Sequence, residues 1–301
     1  MMRSLVLGVT DRTVPRRLIT DTKAGRAVAH RFVAGDRLEE AGAVGKSLND
    51  SGLKVSLDYL GEHVTSAEEA DSATASYVDC IRHIGENDLD ANVSIKLTQL
   101  GMGFDDDVAA KNLDLIASEA LAVGTTVTVD MEESAHTEMT ISLYERAQTT
   151  HGNLGIAIQA YLHRSVDDVE RLLPLGGHIR LCKGAYAEPP ELALQSGSAV
   201  DDAFDRLTEI LMESTEVKPA IASHHDARID FALDKARSRS APWEFQMLYG
   251  VRRDRQIELA ELGHDMRVYV PYGEAWYPYL TRRMAERPAN MSFFLRALVG
   301  K

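Results

Sequence analysis

Cysteine is nearly missing from this chain. Its 301 residues include two, Cys80 and Cys182, far apart and in no CxxC or Cys/His spacing, which excludes a disulfide framework and a zinc finger. Thiols this sparse read as reduced, in a cytoplasm. An excess of positive charge is missing too. The formal net charge of -13 excludes a nucleic-acid partner bound through its phosphates, because that needs a basic face. It also argues against strong docking on anionic lipid, leaving a weak peripheral contact with the inner face of the cell membrane. No window approaches the roughly 20 apolar residues of a membrane span. The opening stretch MMRSLVLGVT lacks the length and cleavage site of a secretory signal. No Pro- or Gly-rich linker, low-complexity tract or repeat divides the chain. A GxGxxG after a strand, a P-loop, GxSxG and HExxH are all lacking, so the Rossmann, NTPase, hydrolase and zinc-protease readings lose their motifs.

What remains is a globular composition, 45% hydrophobic and 26% charged, arranged in a regular alternation. The apolar positions of 26–35 and 37–52 recur at helical spacing and each stretch ends at Gly, predicting N-terminal helices over 1–52. From 53 the texture changes. Short apolar, β-branched runs at 54–62, 92–101, 125–134, 155–164, 178–186, 218–226, 243–250 and 266–273 read as buried strands. Amphipathic stretches at 66–86, 105–124, 135–152, 165–176, 199–214, 226–238 and 254–263 separate them. Several open on Ser or Asp and close on Gly. Eight strand–helix units predict a single α/β domain over 1–301, a distorted (β/α)8 TIM-like barrel over 53–301 with closing helices at its end. An open doubly wound sheet is the alternative.

In such barrels the chemistry sits at the C-terminal ends of the strands. Those ends carry Asp58, Lys96, Asp130, Gln159, Arg180 with Lys183, His224 with His225, Gln246 and Tyr269. One such residue is an ordinary loop side chain; a polar group on nearly every strand indicates an enzyme. Lys96, Arg180, Lys183, Arg282 and Arg283 gather positive charge in an acidic protein and point to an anionic ligand. An Arg pair on a helix is by itself a solvated face, though Glu286 stands one turn from Arg282 and Arg283. Adjacent histidines on a strand point to opposite faces, so His224 and His225 predict no metal site.

Several of these pieces, in order, resemble the proline dehydrogenase family: RFVAG, SLDYLGE, SIKLTQLG, VTVDMEE, IQAYL, RLCKGAY, FQMLYG, YVPYG and YLTRRMAERPANMSFFLRAL, from about residue 30 onward. The resemblance covers the one-domain enzymes and the matching domain of bifunctional proline-utilisation proteins. It implies a non-covalent FAD at the mouth of the barrel. The implied reaction is oxidation of L-proline to Δ1-pyrroline-5-carboxylate by hydride transfer, the first step of proline catabolism to glutamate. Electrons would pass to a quinone, and a separate pyrroline-5-carboxylate dehydrogenase would take the product, since no aldehyde dehydrogenase half is present. By position, Arg282 and Arg283, with Lys96 and Glu286, would bind the proline carboxylate. Asp130 would hold Lys96 or substrate, Tyr269 and Leu248 would pack on the ring, and Glu62 would gate the closed site. Asp130, Met131, Glu132, Gln159, Arg180, Lys183, Gly184, Ala185, Tyr186, His224, His225 and Gln246 would line the cofactor. Cys182, Ala187 and His225 depart from the family's usual residues, and 188–200 fits it poorly. The rival readings are another flavin barrel such as methylenetetrahydrofolate reductase, a Schiff-base aldolase on Lys96 or Lys183, and a carboxylate-binding scaffold.

Overall fold

The computed structural model describes residues 29–286, the last five as helix backbone only. Eight parallel strands close into a barrel in chain order, with β1 (Lys54–Tyr59) hydrogen-bonded to both β2 (Ala91–Ile95) and β8 (Met266–Tyr272). Between them run β3 (Val127–Val129), β4 (Leu154–Gln159), β5 (His178–Cys182), β6 (Lys218–Ala222) and β7 (Glu244–Leu248). The open-sheet alternative is thereby excluded.

The helices are α1 (Leu38–Asn49), α2 (Ala67–Glu86), α3 (Asp106–Val123), α4 (Thr137–His151), α5 (Ser165–Leu172), α6 (Gly197–Glu213), α7 (Asp226–Ala236), α8 (Arg253–Glu261) and α9 (Trp276–Glu286). Local chemistry sets their ends. The Ser66 hydroxyl accepts from the Glu69 N–H to start α2, and Asp105 accepts from the N–H groups of Asp107 and Val108 to start α3. Gly124 stops α3 in the left-handed region at φ 82°. Apolar faces such as Tyr77, Ile81 and Ile84 of α2 and Leu113, Ile116 and Ala117 of α3 pack with the strands in one continuous core.

Two departures from regular barrel order shape the mouth. Helix α1 packs against β1 and β8, taking the outer place beside the last strand. Helix α9 joins a separate apolar cluster: Trp276, Tyr277, Tyr279 and Leu280 pack with Phe32, Val33 and Leu60, flanked by Val251 and Tyr269. Leu60 follows β1 directly and Val251 lies in the turn after β7, so α9 lies over the C-terminal end of the barrel. The helix expected over 26–35 is, from Ala29 on, a single turn. Residues 26–28 lie outside the described ones. The chain then crosses the strand ends: the Ala34 N–H donates to the Pro271 carbonyl and the Gly273 N–H to the Gly35 carbonyl. Gly35, at φ 141°, ends the turn.

The strands stop well short of the apolar runs that announced them. Residues 96–101, 130–134, 160–164, 183–186 and 223–226 follow the strands as turns and loops at the mouth.

Candidate active site

The barrel interior is polar where layers of aliphatic side chains would otherwise fill it. Ser56 and Ser94 point inward and share a hydrogen bond at 2.9 Å. Above them lies the Arg180 guanidinium from β5, 5% exposed. Its Nη2 donates to Ser94 Oγ at 2.8 Å, its Nε to Gln246 Oε1 at 2.5 Å, and its Nη1 to Asp130 Oδ1. Small hydroxyls on β1 and β2 leave room for so long a side chain. Gln246 passes its amide N–H to Glu244 Oε1 at 2.7 Å, and Glu244 is ion-paired to Lys218 and Arg267. Burial alone would raise the Glu244 pKa, but Arg267 and Lys218 outweigh it and hold the carboxyl far below its usual range.

One layer higher, Lys96 just beyond β2 sits between two carboxylates. Its Nζ donates to Asp58 Oδ1 at 2.9 Å and lies 3.7 Å from Asp130 Oδ2. Asp58 is 0% exposed. Burial works against the ammonium, and the charges of Asp58 and Asp130 more than reverse that, keeping Lys96 cationic. Tyr269 donates its hydroxyl to Asp130 Oδ2 at 2.8 Å, with the Arg180 guanidinium 5.2 Å from its ring centroid. Burial and the nearby carboxylates push its phenol well up, so it remains a donor. The result is a cluster in which Lys96 and Arg180 meet the carboxyl groups of Asp58 and Asp130; burial pushes the Asp58 carboxyl up, against the pull of the Lys96 ammonium.

The remaining mouth residues form two flanks. On one, Gln159 at the end of β4 donates to the Glu132 carbonyl at 2.8 Å and accepts the Ala185 N–H at 3.3 Å. The Glu132 carboxylate accepts the Thr98 N–H at 3.1 Å and the Thr98 hydroxyl, and Met131 beside it is buried. Gly184, at φ 116°, is required: a Cβ there would come within 2.3 Å of the Tyr161 ring. It turns the backbone of Lys183–Tyr186 across the mouth. On the other flank Lys183 is ion-paired with Asp201, which also meets Arg228 at 3.2 Å and His225 at 3.9 Å. Lys183 is therefore separate from the central cluster.

The histidine pair is not on a strand: β6 ends at Ala222, and His225 is the N-cap of α7. His224 Nε2 accepts the Leu248 N–H at 3.0 Å, fastening the end of β6 to the end of β7. Reasoning from strand alternation therefore did not apply there. Glu62 follows β1 in the loop to α2. The expected side chains of Arg282, Arg283 and Glu286 lie outside the described residues, although the α9 backbone that bears them is placed over the mouth. Sequence reasoning named Asp58 as a strand end and assigned it no role; the structure makes it the nearest partner of Lys96. The signal was the same as for Asp130, an acid ending a strand.

Fold and site together define a (β/α)8-barrel enzyme with a buried charge cluster under a closing helix. The comparisons with known proteins make this specific. The profile of the family described as "Proline dehydrogenase" matches residues 41–296, and the chain belongs to that family. It is 40% identical over 279 residues to proline dehydrogenase 1 of Bacillus subtilis (strain 168), covering 92% of each chain. It is 32% identical over 308 residues to the proline dehydrogenase of Deinococcus radiodurans, covering 99% of this chain and 98% of that one. Among solved structures, proline utilization A from Bdellovibrio bacteriovorus, inactivated by N-propargylglycine, superposes with a TM-score of 0.83 at 25% identity. That match covers 90% of this chain and 34% of the longer one. Among the described residues no helix is long and apolar enough to cross a membrane.

Proposed function

We propose that this chain oxidises L-proline to Δ1-pyrroline-5-carboxylate with a bound FAD and passes the electrons to a quinone. The carrying observation is the buried cluster of Asp58, Lys96, Asp130 and Arg180 beneath α9, in a member of the proline dehydrogenase family. Because Lys96 is already matched by two carboxylates, the substrate carboxylate is bound chiefly by Arg282 and Arg283, which α9 carries over the mouth. Planar guanidinium donors suit a carboxylate bidentately. Glu286 orients that pair and Glu62 closes over it. Tyr269, held by Asp130, and Leu248 pack on the pyrrolidine ring.

The donor set at the mouth fits a flavin. Arg180, Gln159, Gln246, His224, His225 and Lys183 offer N–H groups to ring and phosphate acceptors, and Gly184 lets the backbone of Ala185 and Tyr186 come close. Met131 supplies an apolar edge. When bound, the flavin supplies a two-electron acceptor for the substrate hydride. The protein residues hold proline by its carboxylate, exclude water when α9 and the Glu62 loop close, and place positive charge from Arg180 where negative charge develops. The proton released as proline becomes the neutral amine passes to solvent or to the surroundings of Asp130. As a working arrangement, 1–301 is one domain. The chain meets its quinone through weak peripheral contact with the membrane, and a separate pyrroline-5-carboxylate dehydrogenase consumes the product.

Two features weigh against a Schiff-base aldolase: Lys96 is held in its charged form, and Lys183 is ion-paired. The test is an absorbance spectrum of the purified protein before and after anaerobic L-proline. Flavin bands near ~450 nm that bleach on addition are expected. Bands that persist would reject the substrate, and a protein that stays colourless with added FAD would reject the cofactor.

A further inference from the structure

We propose that His63, Glu133 and His136 form a binding site for a divalent transition-metal cation of the zinc class at the rim of the barrel mouth. One ligand atom from each of the three lies within 4.8 Å of the others, the one such group among the described residues. His63 Nε2 and Glu133 Oε1 are 3.4 Å apart. Two ligands bound at 2.0–2.1 Å in a tetrahedron are separated by roughly 3.3–3.4 Å, so that edge is already formed.

Independent observations point the same way. Glu133 Oε2 is buried without a hydrogen-bond partner. A carboxylate oxygen without a donor is costly, and a cation held between the imidazoles would engage Oε2 beside the His63 contact of Oε1. His63 stands at φ 55°, in the left-handed region where histidine, like Asn and Asp, is enriched among non-glycine residues. The loops bearing the ligands are fastened from behind. The His63 N–H donates to Thr98 Oγ1 at 3.1 Å, and Glu188 accepts the Ser134 N–H at 2.8 Å. His136 closes the short 3-10 turn Ser134–His136, its ring against Gly103, where a Cβ would lie 3.2 Å from Cε1.

Two imidazoles and one carboxylate select zinc, nickel or copper over magnesium or calcium, whose sites are built of oxygen. With three protein ligands the fourth position stays open to water. All three side chains are at least partly exposed, so an ion can enter from solvent. Bound metal would staple the loop after β1 to the loop after β3. His63 follows Glu62 directly, so the staple also fixes the gating loop, a consequence that rests on the proposed function above. Zinc would therefore slow turnover reversibly.

The test is calorimetric titration of the whole protein with ZnCl2 in metal-free buffer. A single site is expected, with affinity falling by more than about tenfold in each of His63→Asn, Glu133→Gln and His136→Asn. Asn tolerates the left-handed backbone at 63, and circular dichroism without metal verifies folding of each variant. Heat no different from that of the triple variant, or affinity indifferent to the three substitutions, overturns the site and leaves an ordinary His–Glu ion pair. Proline turnover is then measured with zinc and after chelation. Binding with unchanged turnover overturns the staple on the gate, whereas failure to oxidise proline at all overturns the reaction without touching the isotherm.

Discussion

At the scale of single residues, the charge cluster makes each member depend on its neighbours. Lys96→Met leaves Asp58 as a buried carboxylate without its nearest cation, which costs about 3–5 kcal/mol. Asp58→Asn combined with Lys96→Met removes both charges, so the double variant should be more stable than Lys96→Met alone. Urea denaturation of Lys96→Met, Asp58→Asn and the double variant measures this, and a double variant no better than Lys96→Met would mean that the pair is not coupled. The arginines belong to a different balance. Arg283→Met removes a charge-assisted contact worth about 1.5–3 kcal/mol, expected to raise the KM for proline by roughly 10- to 100-fold with flavin retained. An unchanged KM would reject the carboxylate-binding role.

At the scale of elements, the important step is the exchange of places at the end of the chain. Helix α1 occupies the flank of β8, which frees α9 to pack over Leu60, Val251 and Tyr269. The turn after β5 is as constrained. Gly184→Ala imposes an unfavourable φ, a cost of about 1–3 kcal/mol, and drives a methyl into the Tyr161 ring. Loss of bound flavin and a lower Tm are expected. Adding Tyr161→Ala relieves the collision and leaves the backbone cost, so recovery should be partial, as fluorescence titration with FAD would record. Full recovery would assign the whole effect to the collision. The sequence showed that glycine, in RLCKGAY, without showing what stood against it.

At the scale of the whole molecule, the polar barrel interior ties stability to pH. His178 bonds to Thr128 Oγ1 at 2.6 Å, and burial pulls its pKa down from 6.5 to about 3. The unfolded chain takes up a proton as pH falls below 6.5 while the folded protein does not. Its stabilising contribution, complete above 6.5, is lost down to about 3, at no more than about 1.4 kcal/mol per pH unit. His178→Gln should flatten the dependence of urea stability on pH between 7 and 4. An unchanged slope would mean that the imidazole is protonated in the fold. Glu244, held low by Arg267 and Lys218, adds a loss of the same sign at lower pH.

Periodicity determined much of this protein unaided. Eight apolar runs and the helices between them specify a barrel because strand and helix faces are written locally, in side-chain alternation and caps. The polar ends of those runs located the mouth, since a barrel places them there by geometry. Other features depended on contacts between distant segments. These include Asp58 as the partner of Lys96, the diversion of Lys183 to Asp201, the His224 bridge to β7, and the meeting of His63 with Glu133 and His136. All but the Lys183–Asp201 pair, which closes within one strand–helix unit, join segments from different strands, and which segments meet is decided by closure of the barrel.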